Sequence, residues 1–204
     1  LSDIFGSDYM SGVLAEFSAE HPGIMIEPIA YLNENEIVQE SFDIVIRYGV
    51  LPNSNLRARM FGYLAYCLCA TPAYFAAHGW PKAPGDLLEH DCLTDRSASI
   101  NFNGDISIRV QPRWASNSGI ALRSAARKGL GIASLPVMVV RQDLAEGRMV
   151  AMEEEWSFYD RECWVVYSPG IMSVATRAFI DYLVRKTGRT KIRPSMAASL
   201  VARY

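Results

Sequence analysis

Phe42-Asp43-Ile44-Val45-Ile46-Arg47-Tyr48-Gly49 is the stretch on which the reading of this chain turns. Its first five residues form an apolar, β-branched run of the kind buried on both faces of a parallel sheet, and Arg47-Tyr48-Gly49 caps the carboxyl end. Open α/β sheets bind ligands at that end of their strands. Downstream come the turn-rich Leu51-Pro52-Asn53-Ser54-Asn55-Leu56 and the strand-like Tyr63-Leu64-Ala65-Tyr66-Cys67-Leu68-Cys69-Ala70. Thr71-Pro72-Ala73-Tyr74 then opens a short helix that closes at His78-Gly79, and Pro84-Gly85-Asp86-Leu87-Leu88-Glu89-His90-Asp91-Cys92-Leu93 follows.

Upstream of the stretch, Met10, Val13, Leu14 and Phe17 share one helical face between Ser7 and His21, with Ser7 or Asp8 as caps and Pro22-Gly23 as the stop. Residues 24–30 read as a strand that Pro28 demotes to an edge or irregular end. A polar helix over residues 34–40 leads into the Phe42 run, and the alternation of helix and strand argues for a parallel sheet. Further along, Asn103-Gly104-Asp105 between two apolar runs is a hairpin signal. A short strand ending at Trp114-Ala115, a helix over residues 119–128 capped by Asn117 or Ser118, and a buried strand Ile132-Ala133-Ser134-Leu135 come next. Pro136 starts another helix, Cys163-Trp164-Val165-Val166-Tyr167 is a strand, and residues 174–186 form an amphipathic helix.

The chain has 204 residues, half of them apolar, about a fifth charged, with a formal net charge of −2. That is enough chain for one large domain or two small lobes, and the composition is that of a globular protein. The charge offers no broad basic field for nucleic acid, and the one basic cluster, Arg185 to Arg193, is explained by a solvated helix end. No signal peptide or membrane-spanning run is present, and the start at Leu1-Ser2-Asp3 without Met reads as a fragment or processed product. The four cysteines fit neither a zinc site nor a thioredoxin-like pair, so buried small hydrophobes are expected.

The ordered passage from Phe42 to Leu93 resembles the effector-binding domain of LysR-type transcriptional regulators, whose members read "FD-x-x-IR-x-G … LPDS-x-L … LCASPAY-x-x-x-HG … DL-x-x-HDC-L". The resemblance extends to about Lys186 and leaves the tail from Thr187 outside. It implies an α/β, two-lobed type 2 periplasmic-binding-protein-like fold with a ligand cleft between the lobes and two crossover segments. Residues 1–67 with 166–204 would form lobe I and residues 68–165 lobe II, with the DNA-binding helix-turn-helix absent from the chain. The implied function is small-molecule sensing and homodimerisation, with tetramers when full-length, DNA contact only through the missing domain, and a cytoplasmic location. A secreted or periplasmic solute-binding protein of the same fold is the alternative.

Three places suit a ligand. Ser2-Asp3-Ile4-Phe5 precedes the first helix and resembles the family's "S-F-G"-like loop. Arg47-Tyr48-Gly49 ends the Phe42 run. Asn117-Ser118-Gly119 is similar to the family's "A-N-N-G-x-A-L" segment, and Thr71 stands where the family has "S-P". Together they supply hydroxyls, an amide, helix N–H groups and a guanidinium, the set that holds a small carboxylate. Asp3 keeps an amino acid or other mixed-charge ligand open. Ordinary helix capping accounts equally for Ser2, Thr71, Asn117 and Ser118, and an acidic neighbour for Arg47. There is no G-x-S-x-G elbow, P-loop or dinucleotide fingerprint, so no catalytic residue, metal or cofactor is expected.

Overall fold

The computed structural model describes residues 9–29, 42–51, 53–95, 97–102, 107–152, 156, 158–170 and 172–187. In chain order the elements are α1 (Tyr9–Glu20), β1 (Val45–Tyr48), β2 (Arg57–Ala70), α2 (Pro72–His78), a 3-10 turn (Pro84–Glu89), β3 (Cys92–Thr94), β4 (Ser99–Asn101), β5 (Ser107–Arg109), β6 (Pro112–Ala115), α3 (Gly119–Arg127), β7 (Ile132–Pro136), α4 (Val137–Ala145), β8 (Val150–Ala151), β9 (Phe158–Tyr167) and α5 (Val174–Thr187). They divide into two compact units. One takes the described residues up to Leu64 and from Arg161 onward, and the other runs from Ala65 to Asp160.

In the first unit, α1 buries Met10, Val13 and Phe17, the apolar face its spacing predicts. Its partner is α5: Phe17 meets Phe179 edge-on at 5.1 Å and Tyr182 at 5.2 Å. The pair is fastened at its rim, where the Tyr182 hydroxyl donates to Glu16 at 3.1 Å and Lys186 pairs with the same carboxylate. Arg59 of β2 reaches Asp181 of α5 at 2.6 Å.

The Phe42 run departs from expectation here. The strand begins at Val45, and it pairs antiparallel with β9, Val45 opposite Val166 and Arg47 opposite Trp164. Apolar residues on both faces report burial and say nothing about the direction of the neighbour, which lies more than a hundred residues away in sequence. Residues 24–29 are no strand among the described residues. Pro28 has no N–H to give a ladder, and this segment instead lines, with residues 42–46, α1 and α5, a cavity of about 440 Å³. The polar helix expected over residues 34–40 and the caps Ser7 and Asp8 lie outside the described residues.

The second unit is built around the carboxyl half of β2, which is buried on both faces. Ala65, Cys67 and Cys69 point into a cluster with Leu122, Ala126, Leu135, Val140 and Met149. Leu68 and Ala70 point into another with Tyr74, Phe75, Leu87, Ile132 and Met152. Leu68 and Leu135 have no exposure, and such a side chain contributes about 1.5–3 kcal/mol by its burial. β2 pairs antiparallel with β7 and β8, whereas β3 runs parallel to both β7 and β6. The hairpin signal is realised as β4 and β5, a separate two-stranded sheet.

The glycines of Gly129-Leu130-Gly131 have packing reasons. Gly129 ends α3 at φ +75° with its N–H on the Ala126 carbonyl at 2.8 Å, the left-handed stop that glycine adopts without strain. A Cβ at Gly131 would lie 2.1 Å from the Asp91 carbonyl oxygen, which accepts from the Ile132 N–H at 2.8 Å. The backbones entering β3 and β7 therefore approach closely enough to admit only glycine.

Candidate functional site

Arg47 and Tyr48 occupy the last two positions of β1, inside the ladder, and Gly49 follows at φ +79° with its N–H on the Glu162 carbonyl at 2.8 Å. Directly paired residues of an antiparallel ladder project to the same face with their Cβ atoms about 4.5–5.5 Å apart. Arg47 therefore shares a face with Trp164, and Tyr48 shares the other with Cys163. The Trp164 indole nitrogen is shielded from water and has no hydrogen-bond partner among the described residues. A buried donor left so costs about 1–3 kcal/mol.

The remaining described candidates lie in the second unit. Thr71 is the N-cap of α2: its backbone is extended (φ −73°, ψ 151°) and its hydroxyl accepts from the Tyr74 N–H at 3.2 Å, with Pro72 in the first turn. The same hydroxyl would be 3.5 Å from a Cβ placed on Gly129, so the end of α3 packs against it. Ser118 caps α3, accepting from the Ala121 N–H at 3.3 Å, and its own N–H is held by the Ser116 hydroxyl at 3.1 Å. Gly119 is buried in the first turn and Asn117 is exposed beside it. The choice left open between Asn117 and Ser118 falls on Ser118. Ser2, Asp3, Ile4 and Phe5 lie outside the described residues.

The thiols and histidines have structural settings. All four cysteines are free and buried. A hydrogen bond with Cys67, then burial, holds the Cys69 thiol well above its ordinary range. Burial, then the Asp91 charge, pushes Cys92 up to about 12. Both shifts disfavour the thiolate that redox chemistry requires. His90 lies 3.3 Å from the Tyr74 hydroxyl, which also accepts from the Asp91 N–H at 3.0 Å. Burial, then the nearby His78, lowers the His90 pKa. Among the described residues no three His, Cys, Asp or Glu side chains gather as a metal site, and no helix is long and apolar enough to cross a membrane.

Trp164 is the residue that sequence reasoning passed over. It was legible only as one more large residue in a strand, because its partner Arg47 comes from a segment far away in the chain.

A mixed sheet with helices against it, and strands β2 and β9 that begin in one unit and end in the other, are of the periplasmic-binding-protein-like fold. The LysR substrate binding domain family matches residues 1–188, and the chain belongs to that family, the effector-binding domain of LysR-type transcriptional regulators. It is 31% identical over 189 residues to the uncharacterised HTH-type transcriptional regulator YcaN of Escherichia coli, covering 89% of this chain and 62% of that protein. It is 30% identical over 170 residues to an uncharacterised HTH-type transcriptional regulator of Haemophilus influenzae, covering 80% and 59%. The regulatory domain of CrgA, a LysR-type transcriptional regulator from Neisseria meningitidis, superposes with a TM-score of 0.75 at 26% identity, covering 92% of this chain and 96% of that one. The curated relatives are transcriptional regulators, which takes the place of the secreted solute-binding alternative. The chain spans about three fifths of their length.

Proposed function

We propose that this chain is the effector-sensing and oligomerisation part of a longer, cytoplasmic LysR-type regulator that responds to a small carboxylate or amino acid. The observation that carries the reading is Arg47, a guanidinium at the end of the β1 ladder, opposite Trp164 and two residues before Gly49, in a chain of this family. Thr71, Asn117, Ser118 and Gly119 add hydroxyls, an amide and helix N–H groups in the second unit, and Ser2, Asp3, Ile4 and Phe5 belong to the same set. The domain homodimerises, the full protein forms tetramers, and DNA is bound by an amino-terminal helix-turn-helix. Its work is recognition without turnover. An effector acts by binding two arrangements of the protein with different affinity, since equal affinity shifts nothing.

A thermal-shift screen against small carboxylates, amino acids and aromatic acids tests this, because binding raises the melting temperature in proportion to the logarithm of ligand over Kd. A concentration-dependent hit is expected, weakened at least tenfold in Arg47→Ala. A hit that keeps its affinity in the variant removes Arg47 as the anchor, and a full-length protein indifferent to every carboxylate and amino acid tried overturns the effector class.

A further inference from the structure

We propose that Trp164 is a further effector-binding residue, its indole N–H donating to an oxygen of the effector's carboxylate beside Arg47; the inference rests on the effector-sensing reading and adds a residue and a ligand chemistry to it. Three observations converge on it. Trp164 stands directly opposite Arg47 in the β1–β9 ladder, so the two side chains leave the same face as neighbours. The preceding pair on that face, Val45 and Val166, is buried, which gives the polar pair an apolar floor. The indole nitrogen, alone among the buried side-chain nitrogens and oxygens of the described residues, has no hydrogen-bond partner.

Both groups are donors. A guanidinium carries five N–H bonds and an indole one, and neither accepts. A ligand end placed between them must therefore present acceptor oxygens, and a carboxylate satisfies both at once: a charge-assisted bond from Arg47 and a neutral one from Trp164. An ammonium or other donor group finds no acceptor on either side chain. An amino acid would thus enter with its carboxylate toward this pair. Because the indole nitrogen is covered in the unliganded protein, the ring turns to meet the ligand, and an N–H without an acceptor before binding gains one after it.

The test uses Trp164→Phe, which keeps an aromatic ring and removes the indole N–H with the five-membered ring that carries it, with a carboxylate hit, its primary amide and its methyl ester as probes. The expected result is a tenfold or greater loss of affinity for the carboxylate in the variant, with no fall in the melting temperature of the free protein, since the substitution also removes a buried donor that had no partner. Discrimination between carboxylate and ester should fall in parallel. The fluorescence change on binding in the wild type should vanish in the variant, although Trp80, Trp114 and Trp156 remain. Undiminished affinity in Trp164→Phe with binding still lost in Arg47→Ala overturns the role of Trp164 and leaves the sensor reading standing. A free-protein melting temperature that drops while affinity holds assigns the indole a packing role and overturns the proposal equally. Wild-type protein that binds the ester or amide as tightly as the acid overturns the carboxylate chemistry of the pair.

Discussion

Asp143 has a side chain with no exposure, and three guanidiniums surround it: Arg123 Nε at 2.5 Å, Arg148 Nε at 2.7 Å and Arg127 Nε at 3.3 Å. Burial alone pushes its carboxyl up, but the hydrogen bonds from Arg123 and Arg148 and the charges of Arg123 and Arg127 outweigh it, and the net direction is down. Replacing it with Asn leaves three cations around a neutral amide. Denaturant unfolding of Asp143→Asn should show a loss of about 3 kcal/mol, the low end for breaking a buried pair because the arginines are a quarter to two fifths exposed. A carboxyl with a depressed folded pKa stabilises fully above its unfolded value of about 3.9 and loses that contribution as pH falls through the folded value. The stability gap between wild type and variant should accordingly persist from neutral pH to about 4 and close below it. None of this was legible in the sequence, where Arg123, Arg127 and Asp143 are ordinary helix charges and Arg148 follows the Gly147 turn. Their meeting depends on how α3 packs on α4.

At the scale of elements, what was legible was what is locally specified. Helix α2 carries its own start in Thr71-Pro72 and its own stop in Gly79, at φ +81° with its N–H on the Phe75 carbonyl at 2.8 Å. Helix α3 begins at Ser118 for the same reason. Elements whose existence depends on a distant partner were misread: β1 takes an antiparallel neighbour from the far end of the chain, and residues 24–29 line a cavity where a strand was expected. The same distinction separates two roles for Thr71. Thr71→Ala should destabilise by about 1 kcal/mol through loss of the cap, and Thr71→Ser, which retains the hydroxyl, should recover most of it. If effector affinity follows that recovery in calorimetric titration, the hydroxyl serves both helix and ligand. If affinity stays at wild-type level in Thr71→Ala, Thr71 is a cap alone.

At the scale of the molecule, the two units differ in how the chain supplies them. Among the described residues the second is one continuous piece from Ala65 to Asp160, and both of its apolar clusters are drawn from within that piece. The first is assembled from two pieces, with α1 packed on α5 across more than a hundred and fifty residues of sequence. A fragment of residues 65–160 should therefore fold by itself, showing dispersed amide resonances and a cooperative melt. A fragment ending at residue 64 should not. A fragment of residues 65–160 without a cooperative transition would mean that the second unit needs the first.

The divided first unit also has a consequence in time. On the ribosome, α1 and β1 emerge before α5 and β9, which cover Phe17, Val45 and Ile46 and follow about a hundred residues after Leu64. At ordinary elongation rates that is about 5–20 s. The second unit can close during this interval, while the apolar side chains of the first stand in water within reach of chaperones and of neighbouring nascent chains. Yield in the cell is then governed by the tempo of translation through residues 65–160 and by the supply of chaperone, and slower codons there should lower the soluble fraction without changing a single contact of the finished protein.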